Sequence, residues 1–397
     1  MERSLEAFLS GQLEEIERRG LRRRLQALEG AQGIEVRRDS KALRNFSSND
    51  YLGLANHPAL REAALAEWGR GGFGAGASRL VCGTLAAHEE LEEDLADYKR
   101  TAAALTFSSG YAAAMGTIPA VCGRGDVVIL DKLSHACLVD AARLSGAVIR
   151  VFPHNDLEKL ESHLRWAAAK HPRARVLVLA ESVYSMDGDL APLAEIVELK
   201  DRFGAWLLLD EAHAVGVIGE SGRGLADREG VADRVEFQMG TLGKALGTHG
   251  AYIAGSAALR EFLLNRARSF IFSTAPPAPV AAVAREALRI ARSAEGDALR
   301  EALWSGIAAW SDALESPMAE SAILPIVIGG EESAVQMSLA LLEKGFLVPA
   351  IRYPTVAKGS ARLRVTITSG QTRENIWELA EAVKALTSAS ALRPRSR

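Results

Sequence analysis

Short runs rich in Val, Leu, Ile and Ala alternate with stretches of helical period from about residue 100 to 260. The runs are AALTF (103–107), VVIL (127–130), VIRVF (148–152), VLVLA (176–180), WLLLD (206–210), VEFQM (235–239) and AYIAG (251–255). Strands that are apolar on both faces belong to a sheet covered by helices on both sides. The pattern therefore predicts an α/β domain built on a mainly parallel, seven-stranded sheet. After the Pro-rich STAPPAPV (273–280) comes a long helical segment, then a smaller region in which ILPIVIG (323–329) and RLRVTIT (362–368) read as strands. At the other end Leu5, Phe8, Leu9, Leu13 and Ile16 share one helical face, which predicts an amphipathic helix docked on the body. Three parts follow. Residues 1–50 supply a helix and short strands that pack with a small domain; 51–285 form the large α/β domain; 286–397 form a small C-terminal α+β domain. The tail from about 388, SASALRPRSR, is expected to be disordered.

Polar residues gather directly after these apolar runs. Ser108-Ser109-Gly110, Ser182 to Ser185, Asp210 to His213 and Thr241 to Lys244 all do so. Ligands of open α/β sheets bind outside the carboxyl ends of the strands, so one site assembled from several loops explains the clustering. GTLGKALGTHG (240–250) is not a P-loop: the required first glycine falls at Gln238, and Ala245 stands where a Ser or Thr would hold magnesium. GFGAGASRL (72–80) fails as a dinucleotide fingerprint, with Arg79 in place of the third glycine.

A lysine between glycines just after a buried strand is costly as an ammonium ion, because it loses hydration. Desolvation lowers its pKa and turns Lys244 into a nucleophile for an aldehyde. An ordinary loop lysine is the bland alternative; its company decides. Asp210 ends the run WLLLD, and a carboxylate there needs a cationic partner such as a protonated pyridine nitrogen. His213, three residues on, can reach a phenolic oxygen or serve as a core histidine. LTFSSGYAAAMG (105–116) reads as strand, serine N-cap and helix, whose first N–H groups suit a phosphate. His135 in DKLSHACLVDAA (131–142) offers a flat ring for stacking, or for packing.

Composition narrows the class only slightly. The 397 residues are 48% hydrophobic and 24% charged, with a net charge of −3, which gives no sign of a nucleic-acid or anionic-membrane partner. Three cysteines form no CxxC pair, and the eight histidines show no repeated ligand spacing, so neither a disulfide framework nor a metal site is expected. The charged N-terminus lacks a signal-peptide apolar region. A soluble, cytoplasmic protein is the expectation.

Taken together the segments resemble the α-oxoamine synthases, a pyridoxal-phosphate family of the fold-type I aminotransferase superfamily. The matching stretches span most of the chain: FSSNDYLGL (46–54), GAGASRLVCG (74–83), SSGY (108–111), DKLSHA (131–136), FPHND (152–156), ESVYSMDGDLAPL (181–193), DEAHAVGVIGESGRG (210–224), TLGKALG (241–247), FSTAPP (272–277) and AIRYPTVAKGSARLRVTIT (350–368). The resemblance implies a fold-type I transferase with pyridoxal 5'-phosphate held as a Schiff base on Lys244. It implies that Asp210 binds the pyridine nitrogen, His213 binds the phenolic oxygen and His135 stacks on the ring. Gly110, Tyr111, Ser185 and Thr241 would line the cofactor and its phosphate. Arg352 and Thr355 would meet the amino acid and acyl substrate, and Arg22 the acyl chain. Within the family, SSNDYLGL, the LRRR run (21–24) and AIRYPTV imply decarboxylative condensation of L-alanine with a pimeloyl thioester, on coenzyme A or an acyl-carrier protein, by a homodimer. Sister activities that join glycine or serine to acetyl-, succinyl- or palmitoyl-CoA are the alternatives, as are a non-catalytic subunit and a plain aminotransferase. THGAY (248–252) and SGQT (369–372) depart from the family pattern and leave acyl specificity open.

Overall fold

The computed structural model describes residues 4–386; the tail expected to be disordered lies outside the described residues. Strands β1 (Glu35–Arg38) and β2 (Lys41–Asn45) form a hairpin that precedes the large sheet. That sheet comprises β3 (Ala103–Phe107), β4 (Val127–Asp131), β5 (Val148–Phe152), β6 (Val176–Glu181), β7 (Trp206–Asp210), β8 (Phe237–Thr241) and β9 (Ala251–Gly255). Its order is β3-β9-β8-β7-β6-β4-β5, with only β9 antiparallel to its neighbours. Alternate residues of each strand feed two separate cores: Val127 and Ile129 face one, Val128 and Leu130 the other. That division is the physical content of a strand that is apolar throughout.

Seven of seven strands appear where the apolar runs place them, with one shift. The run 235–239 becomes Phe237–Thr241, because pairing to β7 starts only at Leu208 opposite Phe237. Glu236 instead turns its carboxylate to accept the Leu207 N–H at 2.8 Å. In the C-terminal part β10 (Ile323–Gly329), β11 (Phe346–Leu347), β12 (Ala350–Ile351) and β13 (Ala361–Thr366) form small sheets. β10-β13-β12 is one sheet, and β11 joins β2 in parallel to complete the other. The N-terminal strands thus pair with the C-terminal part.

Helix α1 (Leu5–Arg18) corrects one expectation. It forms, capped by Ser4, but its apolar face is not docked on the body: Leu5, Phe8, Leu9, Leu13 and Ile16 are all exposed. Periodicity reveals an apolar face and says nothing of what covers it. Further helices follow along the chain: α2 (Pro58–Gly71), α3 (Ala86–Tyr98), α4 (Gly110–Val121) and α5 (Ala136–Ser145). Among the described residues no helix is long and apolar enough to cross a membrane.

One polar cluster braces the strand ends. His154, after β5, contacts Asp131 at 3.1 Å and Asp189 at 2.8 Å. Burial pushes its imidazole down, but hydrogen bonds to the two carboxylates outweigh that and raise it to about 9. A folded pKa raised above the usual 6.5 or so stabilises the fold fully below that value, and the gain disappears as pH climbs through the folded value. His154→Gln should therefore lower Tm most near pH 6 and least near pH 10. A Tm difference that stays constant across that range would contradict the assignment.

Candidate functional site

The site lies at the carboxyl ends of β6, β7 and β8, beside the start of α4. After β8 the chain turns tightly, with Gly247 N–H donating to Lys244 O at 2.8 Å and Thr248 N–H to Leu242 O at 3.0 Å. Gly247 has φ +64°, and a Cβ there would collide with the main chain of Leu54 and Ala55, so only glycine fits. This turn presents the half-buried Lys244, whose Nζ lies 2.7 Å from His213 Nε2. Burial pulls the amine down to about 8, with the carboxyls of Asp210 and Glu181 acting in the opposite direction. That raises the neutral fraction near neutral pH far above that of an ordinary lysine, which favours a nucleophilic or proton-accepting amine.

His213 is buried, and its other nitrogen, Nδ1, is 2.6 Å from the Tyr51 hydroxyl. Burial, then the charges of Lys244 and Arg364, hold the imidazole well below its ordinary range, so it is neutral. A neutral ring has one N–H. When Lys244 donates to Nε2, that hydrogen sits on Nδ1 and donates to the Tyr51 oxygen. Tyr51 itself is pushed up to about 12 by burial and stays a phenol.

Asp210, at the end of β7, is 6% exposed. Its Oδ1 accepts the Ala212 N–H at 2.9 Å and so caps the turn after β7, but Oδ2 has no hydrogen-bond partner among the described residues. Burial raises its pKa, and the charge of Lys244 offsets only part of that rise. A buried acceptor with one open oxygen suits a protonated ring nitrogen. At the start of α4, Ser109 Oγ accepts the Ala112 N–H at 3.1 Å. The first intrahelical bond runs from the Ala113 N–H to the Ser109 carbonyl, so the N–H groups of Gly110 and Tyr111 lie ahead of the first helical donor and are free for an anion. A Cβ at Gly110 would come within 2.9 Å of Thr241 Cγ2, so this backbone runs against the end of β8. Tyr111 is exposed and donates to Asp140 Oδ2 at 2.6 Å. His135 is exposed and caps α5, its Nδ1 accepting the Cys137 N–H at 3.2 Å. Amine, open carboxylate, neutral imidazole and anion-ready helix start together fit pyridoxal phosphate.

The remaining expected residues make their contacts with other parts of the chain. Ser185 is half-buried and offers its carbonyl to Arg364 Nε at 2.7 Å. Arg352 donates from Nη1 to the Gly20 carbonyl at 2.6 Å, and Thr355 follows in the same exposed turn. Arg22, in the segment thereby tied down, is exposed and lies 3.4 Å from Glu17. Three residues escaped the sequence reading: Tyr51, Glu181 and Arg364. Arg364 is 5% exposed on β13, bonds Asn49 Oδ1 and Thr366 Oγ1 at 3.1 Å, and has a charge that acts on both Lys244 and His213. An arginine at a fully inward strand position was the available signal.

Residues 41–383 match the family model described as aminotransferase class I and II. The chain belongs to that family. Among curated members, the 8-amino-7-oxononanoate synthase of Geobacter sulfurreducens is 49% identical over 90% of this chain and 92% of its own length. The protein of the same name from Thermoanaerobacter pseudethanolicus is 43% identical over 93% and 94%. Solved structures share the fold. Serine palmitoyltransferase from S. paucimobilis, with bound PLP–myriocin aldimine, superposes with a TM-score of 0.89 at 30% identity, covering 97% of this chain and 98% of that one. The 8-amino-7-oxononanoate synthase of Francisella tularensis gives 0.72 at 25% identity, covering 86% and 96%.

Proposed function

We propose that this chain is a pyridoxal-phosphate-dependent acyltransferase that joins L-alanine to a pimeloyl thioester, giving 8-amino-7-oxononanoate, carbon dioxide and free thiol in biotin biosynthesis. The observation that carries the reading is the Lys244 amine, pulled down by burial and set against neutral His213 and buried Asp210. Relatives at 43–49% identity bear that synthase's name, whereas the serine palmitoyltransferase likeness stands at 30%.

Asp210 would hold the ring nitrogen, His213 the phenolic oxygen, and the α4 N–H groups with Thr241 the phosphate; His135 would cover a ring face and Ser185 would complete the lining. When bound, the cofactor supplies an electron-accepting ring that stabilises negative charge at the amino acid's α-carbon. Lys244 takes the α-proton of alanine, and its lowered pKa lets it give a proton back to the same carbon near neutral pH. A carbon–carbon bond forms from that α-carbon to the thioester carbonyl and the carbon–sulfur bond breaks, with the thiolate taking up a proton. The bond to the former alanine carboxylate then breaks to release carbon dioxide. Arg364, whose charge reaches Lys244, is the guanidinium we assign to that carboxylate. Arg352, Thr355 and Arg22 share the tied-down surface around Gly20, which we assign to the thioester.

A panel of amino acids and acyl thioesters tests this. L-alanine with pimeloyl-CoA or pimeloyl-acyl-carrier protein should give the highest kcat/KM. Preference for serine with palmitoyl-CoA, or glycine with acetyl-CoA, would reassign the substrates and leave the lysine chemistry intact. In the same assay Arg364→Lys should raise KM for alanine more than for the thioester. Arg22→Ala should weaken pimeloyl thioesters but not an uncharged chain of similar length.

The acting species in this reading is a cytoplasmic homodimer. The apolar face of α1 and the exposed Trp68, Phe73, Leu80, Val81 and Phe272 leave apolar surface that a second copy would cover. Cys82, Cys122 and Cys137 are free thiols, in keeping with a reducing compartment.

A further inference from the structure

Glu181 is a buried carboxyl that the chemistry above leaves unused. It ends β6 as Asp210 ends β7, and the two are register partners in adjacent parallel strands. Only 3% of Glu181 is exposed. Its Oε1 accepts the main-chain N–H of His135. That bond fixes the residue that opens α5, whose ring in turn caps the helix through the Cys137 N–H. A long-range tie therefore runs from the end of β6 to the backbone under the His135 imidazole, 46 residues away in sequence.

We propose that Glu181 is a positioning residue, which holds the His135 main chain at the strand ends and so sets where the imidazole lies over the cofactor ring. The proposal rests on the pyridoxal-phosphate reading of the site. Glu181 touches neither Lys244 nor substrate in this role; it acts through His135. Its neighbours favour the neutral acid: burial first, then the Asp210 carboxyl, push it up to about 8, against the pull of the His135 N–H and Lys244, with Asp131 adding to the push. Two ionised carboxylates side by side would repel. A neutral Glu181 keeps its acceptor for His135 and leaves Asp210 as the negative charge beneath the ring.

Because the acceptor oxygen rather than the charge does this, glutamine should replace Glu181 and alanine should not. In the holoenzyme, Glu181→Gln should keep kcat and the substrate-free circular dichroism of the cofactor band. Glu181→Ala should change the band's dichroism and lower kcat by about tenfold to a hundredfold, the size expected for a misplaced contact group, with KM little altered. If Glu181→Ala does not fold, Glu181→Asp withdraws the acceptor by one methylene and should behave the same way. A native cofactor band and kcat in the alanine variant, or a glutamine variant as impaired as alanine, overturns the proposal. So does an alanine defect that excess pyridoxal phosphate fully repairs, since that would be lost occupancy and not lost position. Absence of a cofactor band from the native protein sinks the parent reading instead, so the two failures are distinguishable.

Discussion

Lys244→Ala should lose turnover by on the order of 10²–10⁴ from the missing proton transfer alone, and by more once covalent attachment of the cofactor is lost as well. The fold should not suffer. A lysine whose folded pKa is lowered to about 8 destabilises the protein wherever the unfolded chain would carry the proton. That cost is present in full below the folded value and vanishes above the unfolded value of about 10.4. Near neutral pH the variant apoprotein should melt no lower than the native one. Turnover numbers beside melting curves decide the matter. A folded Lys244→Ala protein with near-native turnover would remove this residue from the chemistry.

Asp210→Asn should come second in size. The amide keeps an oxygen for the Ala212 N–H, so the turn after β7 survives. It places an uncharged group where the open carboxylate oxygen stood, and a neutral amide cannot keep a ring nitrogen protonated. Each unit of lost nitrogen basicity corresponds to about 1.36 kcal/mol. The expected outcome is a protein that still binds the cofactor and turns over at least about a hundredfold more slowly, within the range for a lost proton-holding group. Near-native turnover with cofactor bound would exclude Asp210 from the mechanism.

Both residues were legible because each follows an apolar run, and a charged group at a buried strand end needs a reason to be there. The strands were legible for a related reason: residues buried on both faces leave no polar alternation. What escaped was pairing between distant segments. Tyr51 reaches His213 across 162 residues and Arg364 reaches Ser185 across 179, and no local period encodes either contact. The same limit applies to α1, whose apolar stripe predicted a helix correctly and its docking wrongly. Arg352 is a substrate arginine by what the resemblance implies; in this structure its guanidinium bonds the Gly20 carbonyl, while the charge of Arg364, buried on β13, acts on Lys244.

The central claim is that the cofactor is carried on one lysine at the end of β8. The most direct measurement is borohydride reduction of the purified yellow holoenzyme, followed by peptide mass spectrometry. The account predicts loss of the long-wavelength absorbance and a pyridoxyl group on the peptide containing Lys244, and on no other. A modified lysine elsewhere, or a reduced protein with no pyridoxyl peptide, would contradict it.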